Sequence, residues 1–232
     1  MRARTRRKLE MGVRVLEFSR QHPDPSPGYV AAATRLEERL ARAGELARQQ
    51  LDGVSEVHAS TARKRDLRRM MKLGHLNHLI SVAQVASVED SELLQKFDFP
   101  SGANSYLSFQ TAAAGIAAEA ESRKELLVKH GLSEDVLSGL KVAIDQFESA
   151  VEQGAAGRLA HVGASAQLVT IAYEVVQVVK VMNGLNRVRF AGDSELLAAW
   201  ESATNVVATA RPEPKVPPSP GPSGPGEIRP AA

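Results

Sequence analysis

The clearest hydrophobic pattern in the chain lies between residues 168 and 185. Apolar residues recur there every three or four positions, and about half of a helical cylinder is apolar. The apolar positions are Leu168, Ile171, Val175, Val178, Met182 and Leu185, and Gln167, Thr170, Glu174 and Gln177 form an opposing polar stripe. Many of these residues are valines, but polar residues interrupt the run every third position, which favours a helix over a strand.

The first ninety residues carry the pattern of a short helix followed by a long one. Thr5 is expected to cap the first helix, which runs to about Gln21. Ser26 and Pro27 fit the cap and first position of the second helix, whose apolar seam continues through Gly53 towards Glu89. The apolar positions change face after residue 72, which predicts a kink near Gly74.

The second half begins with a helix that Asn104 or Ser105 caps and that runs to Lys129. Gly131 supplies the left-handed turn after it, and Ser133 begins a helix whose pattern continues to about residue 188. As one continuous helix it would be about 84 Å long at about 1.5 Å per residue; the alternative is a bend at residues 154–157. Small residues from 154 to 166 predict a close approach to another helix.

Together these patterns predict an all-α protein, an elongated antiparallel helical bundle with two long helices flanked by shorter ones. The bundle domain is assigned to residues 1–209, with a last helix from Asp193 to about Ala208 that brings Trp200 into the core. Residues 210–232 are rich in proline, glycine and serine, and we expect this tail to be disordered.

Composition narrows the function classes. The 232-residue chain has no cysteine, which excludes disulfides and thiolate chemistry. Its basic start leads into an amphipathic segment rather than a signal sequence, and no run approaches 18 uncharged apolar residues. We therefore expect a cytoplasmic protein with no membrane partner.

Charge is unevenly distributed along the chain. Residues 1–80 carry 17 Lys/Arg against 9 Asp/Glu, a net +8, whereas residues 81–210 carry 9 against 16, a net −7. The densest basic segment contains Arg63, Lys64, Arg65, Arg68, Arg69 and Lys72. Clustered cations can bind phosphates, but residues 30–96 lack aromatic side chains that could stack on bases. A solvated face, or ion pairs with Glu148 and Glu152, is the preferred interpretation.

No combination of residues indicates catalysis, a cofactor or a metal. His75 and His78 stand three positions apart and could share a metal, but no glutamate precedes any histidine by three residues as in carboxylate-bridged dimetal bundles. We therefore predict no catalytic, cofactor or metal site and no enzyme activity. The preferred function is protein interaction, with an unknown partner or a second copy of the chain. The alternative is weak nucleic-acid binding through residues 63–72.

Overall fold

The computed structural model describes residues 1–206, and within them every regular element is helical. The elements are α1 (Ala3–Gln21), α2 (Pro27–Met70), a π-helical segment (Met71–Leu76), α3 (Asn77–Ala86), α4 (Leu93–Lys96), α5 (Tyr106–Ser122), α6 (Lys124–Lys129), α7 (Glu134–Arg189) and α8 (Ser194–Thr204). The predicted all-α helical bundle is confirmed. The proposed tail at 210–232, and the expected end of the last helix near Ala208, lie outside the described residues.

The two long helices, α2 and α7, pack antiparallel. Residues later in α2 contact residues earlier in α7: Arg39 contacts Glu174, Gln50 contacts Ser165, and Gly53 contacts Gly157. All 56 residues of α7 form one helix, so the open question of a bend at residues 154–157 resolves in favour of continuity. A helix of that length is about 84 Å long, which makes the bundle elongated.

Two separate hydrophobic cores lie at opposite ends of the α2–α7 pair. The first core joins α1, α8, the beginning of α2 and the end of α7, and it includes Val15, Leu36, Val175, Met182 and Trp200. The second joins the end of α2 to α3, α5, α6 and the beginning of α7, and it includes Met71, Leu79, Phe109, Leu127 and Phe147. The shorter helices therefore cover the two ends of the rod and leave its middle to α2 and α7.

The middle of the rod is a close contact between small residues. A Cβ atom added to Gly53 would lie 2.6 Å from the carbonyl oxygen of Gly157, and one added to Gly154 would lie 2.5 Å from the hydroxyl of Ser60. A side chain at Gly53 would hold the helices apart, since the Gly157 backbone cannot yield as a flexible side chain does. The predicted close approach through the small-residue stretch is confirmed, and its partner is α2.

The change of apolar face near Gly74, for which the pattern predicts a kink, coincides with the π-helical segment Met71–Leu76, which joins α2 to α3 without a gap. Met71 and Leu76, five residues apart, are both buried in the same core. A regular α-helix places neighbouring core positions three or four residues apart, so the wider π turn accommodates one additional residue. The π turn thereby places Leu67, Met71 and Leu79 on the same, buried side of the helical run.

Local differences from the predicted boundaries concern the helix ends. Helix α1 begins at Ala3, and Thr5 is a buried helical residue rather than its cap. The helix expected to reach Lys129 is interrupted at Arg123, whose guanidinium lies 2.5 Å from the Asp90 carboxylate. Gly131 adopts the left-handed conformation with φ of 101°, as predicted.

Candidate interaction surfaces

Two residues of the basic segment point into the fold. The Arg68 guanidinium donates hydrogen bonds to the backbone carbonyls of Ala103 at 2.7 Å and Asn104 at 2.9 Å, and it lies 4.9 Å from the centre of the Phe109 ring. The Lys64 ammonium lies 4.7 Å from the centre of the Tyr106 ring. These two half-buried cations hold the loop before α5 and the first residue of α5 against α2.

The other four residues of the segment are exposed. Arg65, Arg69 and Lys72 follow one another at spacings of four and three, which places them on a common face. Arg63 lies on a different side, in a groove with Glu56 and Gln153. The four exposed residues are Arg63, Arg65, Arg69 and Lys72. The structure therefore divides the six predicted residues into two structural cations and four solvent-facing ones.

The pairing of this segment with acidic residues of α7 is not observed. Within residues 1–206, no ion pair joins Glu148 or Glu152 to the basic segment, and Arg65 pairs only with its neighbour Asp66, at 3.3 Å. The two acidic side chains are exposed. Arg63, Arg65, Arg69 and Lys72 are therefore solvated, whereas Lys64 and Arg68 contact the fold.

The two histidines considered for a metal have different environments. His75 packs over Gly139, where an added Cβ would lie 2.9 Å from the imidazole ring, while His78 is exposed. In the described part of the chain, no three His, Cys, Asp or Glu side chains are grouped as a metal ion would require. Packing against Gly139 accounts for the position of His75.

Helix α7 carries a second apolar surface that faces away from α1 and α2. We call it the outward face, and its twelve members lie on one side of the helix over 30 positions; ten are apolar or glycine, and Thr170 and Gln177 are polar. They are Leu159, Val162, Gly163, Ala166, Val169, Thr170, Tyr173, Gln177, Val181, Gly184, Leu185 and Val188. Leu159 and Val188 are 74% and 80% exposed, so these large side chains project into solvent without a cover.

The outward face makes α7 apolar on nearly all sides. The helix contains an 18-residue window of mean hydropathy 1.4, of which 39% is buried in the bundle, and by length and composition alone it could cross a membrane. Part of this hydropathy belongs to core residues such as Leu168 and Val175. The remainder belongs to the outward face, because burial against α2 needs only one side of a helix.

Grooves flank the outward face on both sides. One, of about 690 Å³, lies between the start of α1 and α7, with Val162, Ala166 and Val169 on its α7 wall. The other, of about 380 Å³, lies between the first turns of α2 and α7, beside Gln177 and Val181. Their walls are shallow and mainly apolar, which suits the side chains of a docked helix.

Three carboxyl groups have perturbed acidities, and each has a local cause. A hydrogen bond from Lys129 holds the pKa of Glu89 below its ordinary value, and a hydrogen bond from Lys141 does the same for Glu121. The backbone N–H of Ser26 lowers the pKa of Asp24. None of the three lines either groove, so they stabilise surface contacts instead of forming an acid–base pair.

The sequence pattern did not identify the outward face. The pattern predicts that Gln167, Thr170, Glu174 and Gln177 form the polar side of α7. Gln167 and Glu174 instead contact Arg42 and Arg39 of α2, and only Thr170 and Gln177 belong to the outward face. Leu185, predicted to lie in the core seam, is 40% exposed and belongs to the outward face. The available signal is the set of large apolar residues outside the core seam, including Val162, Val169 and Tyr173. Comparison with protein-family models, curated proteins and solved structures finds no match for this chain.

Proposed function

We propose that this protein is a non-catalytic interaction module that binds a helical surface through the outward face of α7. The observation that carries the proposal is the continuous exposure of large apolar residues along 30 positions of one helix, Leu159 to Val188. Monomeric proteins seldom leave long apolar patches uncovered, and such patches usually mark interfaces. The partner is either a second copy or another polypeptide.

The dimensions of the face support stable association. A stripe of 30 helical residues is about 45 Å long and about 10 Å wide, or roughly 450 Å² per partner. At about 25 cal/mol per Å², its burial would contribute on the order of 10 kcal/mol per partner. The cost of association is about 4–15 kcal/mol, so association requires that most of the face be covered.

The test is sedimentation velocity across a concentration series for the wild type and a Val169→Glu, Tyr173→Glu variant. We expect the wild type to form a larger species and the variant to remain monomeric, because each glutamate would be buried without a cation. Val142→Glu is the matched control, since Val142 lies on the same helix and is 55% exposed, against 49% for Val169. A monomeric wild type at every concentration would exclude self-association, and equal loss in the control would exclude this face.

Nucleic-acid binding remains a second candidate because one observation favours it. Arg65, Arg69 and Lys72 lie exposed on one face, and among residues 1–206 no carboxylate from another helix neutralises them. Three phosphate contacts to duplex DNA would give a slope of roughly −3 in the dependence of log affinity on log salt. The expected binding is weak and independent of sequence, since no side chain is placed to read bases.

Fluorescence anisotropy of labelled DNA and RNA across a salt series tests this candidate. Binding should disappear in an Arg65→Ala, Arg69→Ala, Lys72→Ala variant. The matched control removes the same charge from exposed positions elsewhere, Arg35, Arg48 and Arg158. If both variants lose affinity equally, net charge alone is responsible; if wild type does not bind at low salt, the basic face serves solubility.

A further inference from the structure

The outward face of α7 is symmetric in sequence about one peptide bond, between Tyr173 and Glu174. Leu159 stands fourteen residues before Tyr173, and Val188 stands fourteen after Glu174. The same relation joins Val162 to Leu185, Gly163 to Gly184, Ala166 to Val181 and Thr170 to Gln177. Ten of the twelve residues of the outward face pair in this way, large apolar residues with apolar ones, glycine with glycine and polar with polar. Of the other two, Tyr173 stands at the centre beside Glu174, and Val169 has no counterpart on the face because Val178 is buried in the core.

Such symmetry is what an antiparallel pair of identical helices requires. When the two-fold axis of an isologous interface lies between the two α7 helices, level with this bond, every residue lies level with its counterpart from the other copy. Leu159 would then lie level with Val188, and Val162 with Leu185. A partner of different sequence would place no such constraint on α7.

The two glycines give the bulky residues of the second copy a place to pack. A Cβ added to Gly163 or Gly184 would meet no atom within 4 Å, so both face open space. In the antiparallel register, Val162 of one copy lies beside Gly184 of the other, and Leu185 lies beside Gly163. Large against small residues is the pattern that allows helices to approach closely.

The centre of the face supplies a reason for one register. Along the helix axis, Tyr173 of each copy would lie about 6 Å or less from Thr170 and Gln177 of the other, whose polar groups can pair with its hydroxyl. A shift by one turn would bury these groups against apolar side chains. Polar residues in an otherwise apolar helix interface commonly fix register in this way.

We propose that the partner of the outward face is a second copy of this chain, packed antiparallel with its two-fold axis at the Tyr173–Glu174 bond. The inference rests on the proposed function of this face. The area available, roughly 450 Å² on a flat helical stripe, is about half of the ~800 Å² per partner of a standard interface, so the flanking helices α1 and α2 must contribute the rest. Both copies use the same residues.

Disulfide cross-linking tests the register cleanly because the chain contains no cysteine. Three single-cysteine variants, Tyr173→Cys, Leu159→Cys and Val188→Cys, are each oxidised alone. Leu159→Cys and Val188→Cys are also mixed and oxidised together, and one of the two carries a tag so that the mixed dimer is distinguished by size. A disulfide requires Cβ atoms about 3.5–4.5 Å apart. We expect cross-linking for Tyr173→Cys alone and for the mixture, but not for Leu159→Cys or Val188→Cys alone.

Other outcomes separate this inference from the proposed function. A wild-type dimer that cross-links through Leu159→Cys alone is parallel, which overturns the register and leaves the face in use. A wild-type dimer without any cross-link overturns the register, and it overturns the use of this face as well if the Val169→Glu, Tyr173→Glu variant still forms the dimer. A monomer that binds phosphatidylcholine vesicles through this face assigns it to lipid, and a monomer that binds none removes the second copy altogether.

Discussion

Gly53 of α2 and Gly157 of α7 face each other at the narrowest point of the rod, where a Cβ on Gly53 would lie 2.6 Å from the Gly157 carbonyl oxygen. The contact lies between the two hydrophobic cores, and it sets the spacing of the helices that connect them. Because neither core reaches this region, the separation of α2 and α7 depends on residues without side chains.

Gly53→Ala should therefore destabilise the protein by about 1–3 kcal/mol, since overpacking against backbone forces the helices apart. Alanine is the better helix former by up to about 1 kcal/mol, which offsets only part of that loss. Chemical denaturation followed by far-ultraviolet circular dichroism measures the change.

Gly44→Ala is the matched control for this substitution. Gly44 lies in the same helix, and an added Cβ there meets no atom within 4 Å. We expect a stabilisation of up to about 1 kcal/mol, because only helix propensity changes. If both variants shift stability by the same amount and sign, the close contact is not limiting.

Arg68 and Arg69 are adjacent in sequence, and we expect opposite sensitivities. Arg68→Ala removes two charge-assisted hydrogen bonds to the loop before α5, which should cost about 1–3 kcal/mol. Arg69→Ala alters an exposed side chain and should change stability by less than about 0.5 kcal/mol. Arg68→Lys should be intermediate, since an ammonium cannot reproduce the guanidinium fork. Thermal unfolding distinguishes the three, and equal losses for both alanine variants would contradict the structure.

The Glu89 carboxylate should give a measurable acid dependence of stability. Its Oε1 accepts hydrogen bonds from Lys129 at 2.8 Å and from His130 at 3.0 Å, and the Lys129 bond is the main reason that the pKa lies below its ordinary value of 4.5. A lowered folded-state pKa stabilises the fold above pH 4.5, and this contribution is lost as the pH falls through the folded value.

The measurement is the unfolding free energy against pH for the wild type and Glu89→Gln. The wild type should be the more stable above pH 4.5, and the difference should shrink in acid because protonation removes the same charge that the variant lacks. Glu38→Gln is the control, as its side chain is exposed and no ion pair to it is assigned in residues 1–206. A difference that grows on acidification would contradict the assigned contact.

Features determined by a few neighbouring residues were predictable from the sequence. Gly131 ends α6 with a positive φ, and Ser133 accepts a hydrogen bond from the backbone N–H of Asp135 at the start of α7. Asp193 caps α8 in the same way. Glycine and capping residues act within one helical turn, so their patterns need no knowledge of the tertiary structure.

Features that depend on distant residues were not predictable. Arg68 and Arg69 are equivalent in the sequence pattern of a basic helix. Only the tertiary hydrogen bonds from Arg68 to the carbonyls of Ala103 and Asn104 distinguish their roles. The outward face of α7 could not be predicted for a related reason. Where a helix is apolar on most sides, periodicity cannot say which side α2 covers and which remains for a partner.

The π-helical segment gives the last and most unusual expectation, which concerns single-residue deletions. Deleting a residue from a regular α-helix rotates everything after it by about 100°, so deletion of Gly44 should move Leu46, Gln50 and Gly53 away from α7 and cause extensive unfolding. Deletion of Gly74 should be tolerated, because it reduces the Met71–Leu76 spacing to four and turns the π segment into α-helix while both side chains stay buried. Both glycines face open space, so the deletions differ only in helix phase. Far-ultraviolet circular dichroism and thermal midpoints measure the contrast, and equal loss of helix in the two variants would show that the extra residue is not what the π turn accommodates.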